Sequence, residues 1–73
     1  MERVARLSVE DQLAAARREL DHRRRCYPLW VRQGRIGRAR AIGEIAAMAS
    51  IVATLEELAT QPALFVPTGT QEG

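Results

Sequence analysis

Between Gln33 and Arg38 the chain reads Gly-Arg-Ile-Gly, and this four-residue break is all that separates two stretches of helical periodicity. Upstream, Val9, Leu13, Ala16, Leu20, Tyr27 and Val31 recur at spacings of three, four and seven, which puts them on one stripe of an α-helix. Downstream, Ala41, Ile45, Met48, Val52, Leu55 and Ala59 alternate spacings of four and three, and Ile42, Ile51 and Leu58 widen that stripe. Short connections make antiparallel neighbours. The spacing therefore predicts an all-α chain built on an antiparallel two-helix hairpin, with helix 1 over about 8–33 and helix 2 over about 38–60.

Local signals agree with these limits. Ser8 followed by Asp11 is the start signal in which a serine side chain accepts from a first-turn N–H. Pro28 falls inside the first periodic stretch, where it removes a backbone donor and crowds the carbonyl four residues back. The helix must kink or stop there, and a kink at Pro28 fits the continuing stripe better. Gly34 suits a left-handed position just past a helix end. Pro62 stops the second helix, and residues 61–73, with a second proline at Pro67 and no apolar period, read as an irregular or disordered tail.

Placed antiparallel with the turn near Arg35 and Ile36, Leu13 falls level with Leu58, Leu20 with Ile51 and Tyr27 with Glu44. Apolar positions face each other along most of the hairpin, yet two helices have one neighbour each and cannot enclose a core. The chain is 73 residues long with one cysteine, Cys26, so no internal disulfide exists to staple it. Self-association is the staple left, and a homodimeric four-helix bundle is the expected solution. Its core and dimer contacts would come from Leu13, Leu20, Tyr27, Val31, Ile42 and Ile45 with Met48, Ile51, Val52, Leu55 and Leu58.

Charge is distributed unevenly. All eleven basic residues are arginine, a bias that a GC-rich genome produces through codon usage. Nine of them lie between residues 17 and 40 against Glu19 and Asp21, whereas residues 41–73 carry four glutamates and no basic residue. Arg17 should reach Glu56 or Glu57, and Arg23 or Arg24 should reach Glu44, so ion pairs between the helices absorb part of the excess. Arg18, Arg25 and Arg32, seven residues apart, lie opposite the apolar stripe. With Arg35, Arg38 and Arg40 at the loop end they have no evident acidic counterpart, and they are the expected partner-binding residues, together with Trp30. Tyr27 faces the stripe, while Trp30 lies about 80° from it, where an aromatic with a polar handle suits an interface.

No catalytic constellation is present. His22 is solitary on the outer face, Cys26 has arginines beside it but no base, and neither metal-ligand spacing nor a phosphate loop occurs. No enzyme activity, metal or cofactor is expected. No apolar run approaches the ~20 residues of a membrane span and no leader pattern opens the chain, so the expected compartment is the cytoplasm.

The run Arg23-Arg24-Arg25-x-Tyr27-Pro28-x-Trp30-Val31-x-x-Gly34-Arg35-Ile36, continued by Ala41, Glu44, Ile45, Met48, Ile51 and Val52, resembles small proteins encoded by tailed phages and prophages of proteobacteria. The resemblance spans about residues 19–58, with Cys26 and Gly37 as departures where a bulkier apolar residue and a capping Ser or Thr would be natural. It implies phage origin and action inside an infected or lysogenic bacterium. It further implies inhibition of a host factor, in the manner of anti-CRISPR and other anti-defence proteins or of quorum-sensing antagonists that bind a transcription regulator. The expected partners are thus a second copy and a host protein with an acidic patch. Two alternatives stand beside this. Clustered arginines also suit phosphate, and Gly34–Ile45 is similar to the turn and second helix of a helix-turn-helix, although helix 1 is long for that motif and no third helix supports it. A structural phage component is the other.

Overall fold

The computed structural model describes residues 6–61, and the expectation of an irregular tail over 61–73 falls almost entirely outside them. Two helices, α1 over Val9–Arg32 and α2 over Arg38–Thr60, pack against each other, and no strand occurs among the described residues. At ~1.5 Å per residue, each is a rod roughly 35 Å long.

Helix α1 starts where Ser8, in extended conformation, accepts a hydrogen bond at Oγ from the Asp11 N–H at 3.0 Å. Glu10 and Asp11 then lie in the first turn, where their charge favours the helix N-terminus. The helix continues through Pro28 and does not stop there. It ends in a Schellman turn: Gly34 takes φ +74°, its N–H donates to the Val31 carbonyl at 3.0 Å, and the Arg35 N–H donates to the Trp30 carbonyl at 2.8 Å. A side chain at that φ would crowd its own backbone, which is why glycine stands there.

Helix α2 opens with less support. Gly37 occupies the capping position in extended conformation and has no side chain to accept from the first turn, nor does that turn hold an acidic residue. Packing against α1 supplies what the cap does not. Leu13, Ala16 and Leu20 of α1 are buried against Met48 and Val52 of α2, with Ile45, Ala49, Leu55 and Ala59 partly buried around them. Ala41 is buried near the turn.

This core accounts for only part of the apolar stripe. Tyr27, Val31, Ile45 and Leu55 are half-buried, and Ile42, Ile51 and Leu58 stay 60%, 48% and 43% exposed. The stripe on α2 is wider than one neighbouring helix covers, so its edges face outward on both sides of α1.

Candidate interaction surface

Among the described residues three arginines, Arg23, Arg17 and Arg25, have carboxylate partners inside the hairpin. The Arg23 guanidinium donates to Glu19 Oε2 at 2.9 Å on its own helix, to the Glu44 main-chain carbonyl at 2.8 Å and to Glu44 Oε1 at 3.4 Å. It thereby ties α1 to α2 near the turn. The hydrogen bond to Glu19, with the charges of Tyr27, Glu19 and Glu44, outweighs burial and raises its pKa above the ordinary arginine value. Arg17 crosses to Glu56 at 2.9 Å near the open end. Of the pair Arg23 and Arg24, only Arg23 makes the bridge to Glu44, because it occupies the side of α1 that faces that glutamate; Arg24 is exposed.

Arg25 corrects an expectation. It has an acidic counterpart after all, Asp21 one turn earlier, at 3.0 Å. Spacing of four residues on a helix brings the two side chains together. The pair is well exposed, so it holds Arg25 only weakly. Arg18 and Arg32, the other members of that stripe, are exposed and have no carboxylate within 4.0 Å among the described residues.

Around the turn the side chains form an aromatic and cationic cluster. Trp30 stacks on Tyr27 with centroids 5.2 Å apart, and its ring meets His22 edge-on at 6.4 Å. The Arg35 guanidinium lies over the Trp30 ring, 5.0 Å from its centroid. The Schellman turn creates this contact: Trp30 and Arg35 occupy the two positions whose side chains normally meet across such a turn, and here a cation on an aromatic face replaces the usual apolar pair. Trp30, Arg35, Ile36, Arg40 and Glu44 with Tyr27 line an open depression of about 310 Å³.

On the other side of the hairpin, an apolar groove of about 440 Å³ runs between Pro28 and Val31 of α1 and Ala41, Ile42 and Ile45 of α2. Arg32 and Arg38 stand at its edge. The proposed partner residues thus separate into Trp30, Arg35 and Arg40 around one depression, Arg32 and Arg38 around the groove, and Arg18 and Arg25 farther along α1. A third depression, about 340 Å³, lies beside Ile51, Thr54 and Leu55, with Gln12 of α1 at its border.

Sequence reasoning missed the contribution of Glu44 and Ile36 to the Trp30 depression and that of Pro28 to the groove. Glu44 carried a signal, being level with Tyr27 in the antiparallel register; Ile36 carried none, because loop residues follow no period. The Cys26 sulfur lies 3.6 Å from His22 Nδ1, one turn away, a contact that the four-residue spacing makes possible. Among the described residues no group of three His, Cys, Asp or Glu side chains comes together at metal-binding range, and no helix is long and apolar enough to cross a membrane. No family model matches this sequence, and neither a curated protein nor a solved structure matches it.

Proposed function

We propose that this chain is a small phage-encoded binding module that self-associates, attaches to a host protein bearing an acidic patch, and inhibits or modulates that protein without catalysis of its own. Its site of action is the cytoplasm of the infected or lysogenic bacterium, and its targets are of the defence, CRISPR or transcription-regulator kind. A bend of α1 at Pro28 and the pairing of two hairpins into a four-helix bundle belong to the same reading.

One observation carries it. Arg32, Arg35, Arg38 and Arg40 surround the turn, and among the described residues none has a carboxylate within 4.0 Å. Guanidinium groups suit such a role because they pair with carboxylates in two-pronged fashion and lose little hydration on burial. Beside them Trp30 and Tyr27 offer flat apolar surface with polar edges, the kind of residue that anchors interfaces.

The test is capture from host lysate by the intact protein and by Arg32→Glu plus Arg40→Glu. Neither side chain makes an ion pair among the described residues, and circular dichroism checks that the variant keeps its helices. Selective loss of a bound protein supports the reading, and equal capture by both proteins removes the arginines from it. The same arginines could instead meet phosphate. Retention on duplex DNA that collapses between about 50 and 200 mM salt would favour that alternative.

A further inference from the structure

We infer that a second copy of this chain docks antiparallel on the flank of α2 that runs from Arg38 to Glu56, so that each Arg38 meets the Glu56 of the other copy. This rests on the reading of the chain as a self-associating module and specifies the face and the orientation.

The need for an occupant comes from α2 itself. From Ala41 to Thr60 its only charged residues are Glu44, Glu56 and Glu57, and apolar side chains occur on almost every side. A helix apolar all round belongs in the interior of an assembly. Helix α1 covers the face holding Met48 and Val52 and leaves Ile42 and Ile51 outside on opposite flanks. The Ile42 flank carries the larger groove, that between Pro28, Val31, Ile42 and Ile45.

Charge selects what fills it. Arg38 and Glu56 are 18 residues apart, which is five whole turns, so they lie on the same side of α2. They carry opposite charge at opposite ends, roughly 27 Å apart along the helix. A twofold axis that relates two antiparallel helices returns this side of each helix to one side of the pair, and both Arg38–Glu56 contacts form at once. A parallel copy would set Arg38 against Arg38 and Glu56 against Glu56. The register that aligns the charges also sets Ile45 level with Ala49 and brings Ile42 beside Ala53, so large side chains meet small ones. The Ile51 flank has no such pair of opposite charges.

Both groups are available. Arg38 lies at the groove edge with no carboxylate within 4.0 Å among the described residues. Glu56 uses Oε2 for Arg17, and its side chain is about half exposed, which leaves Oε1 open to a second guanidinium. Exposed ion pairs add little affinity but discriminate between orientations. The groove supplies the contact and the charges set its direction.

The experiment is a charge swap on the full chain, read by sedimentation equilibrium and by native mass spectrometry of mixtures, with helicity checked by circular dichroism. Arg38→Glu and Glu56→Arg each replace two attractions by two repulsions and should weaken the dimer about tenfold or more. The double variant Arg38→Glu/Glu56→Arg should recover the dimer, and mixing the two single variants should give a heterodimer well above the statistical share. Ile51→Arg should leave the dimer intact. Wild-type affinity in Arg38→Glu, which breaks no ion pair among the described residues, would overturn the assignment even if Glu56→Arg lost helicity. Loss of the dimer in Ile51→Arg alone would move the second copy to the other flank. A chain that stays monomeric would end both the assignment and self-association, while capture of a host protein would still be decided by the Arg32 and Arg40 variant.

Discussion

Arg23 and Gly34 are single residues on which much of the hairpin geometry depends. Arg23 bonds a carboxylate on its own helix and both the main chain and side chain of Glu44 on the other, while being mostly buried. Arg23→Ala should therefore destabilise the fold by about 1 kcal/mol, read from thermal melts, because it removes the tie between the helices while the half-exposed acceptors turn to water. Arg24→Ala, one residue on and exposed, should change little. Because the folded-state pKa of Arg23 is raised, its contribution is complete below the ordinary arginine value and is lost only as pH rises through the folded one. No titration of Arg23 should thus appear in the melting temperature between neutral and mildly alkaline pH. Gly34→Ala meets open space but must hold φ +74°, and the backbone strain should cost about 1 kcal/mol.

At the scale of the element, the two helices begin differently, and their starts can be exchanged. Ser8 caps α1 with a side-chain oxygen, whereas Gly37 leaves the first N–H groups of α2 without one. Gly37→Ser, in a position with extended backbone and nothing within 4 Å of the new Cβ, should stabilise the hairpin by a few tenths of a kcal/mol. The packed face of each helix responds in the opposite direction. Leu20→Ala or Met48→Ala should cost about 2–3 kcal/mol, enough to unfold a domain of this size. Leu58→Ala, on the exposed edge, should cost less than about 0.5 kcal/mol in the monomer. A comparable loss at Leu58 would mean that its edge is covered, and denaturant titrations at low and high protein concentration would show by what. The helices were legible in the sequence because their periods are long and regular. The Trp30–Arg35 stack was not, since it depends on the exact turn that Gly34 adopts and no helical wheel extends past a helix end.

For the whole molecule, the question is how one hairpin stays folded. Among the described residues the core is a single seam of five buried side chains, and large apolar side chains lie outside it on both flanks. If a second copy covers one flank, folding and association are linked, and stability rises with concentration by mass action. The melting temperature should climb by several degrees over a hundredfold increase in protein concentration. A midpoint independent of concentration over that range would show that the seam suffices alone. The charge asymmetry acts at this scale too, since an arginine-rich turn end and a glutamate-bearing open end give the hairpin a direction that any partner must respect.

The amino-acid order by itself determined that there are two helices, which faces of them are apolar, and that they fold back antiparallel, because periodicity and a four-residue break are local properties that hydrophobic burial converts directly into a hairpin. Tertiary structure alone decided which charges are spent. Arg23 rather than Arg24 bridges the helices to Glu44, and Arg17 reaches Glu56 rather than Glu57. At each of these crossings two neighbouring residues lie within reach along the chain, and only the relative rotation of two packed rods picks one.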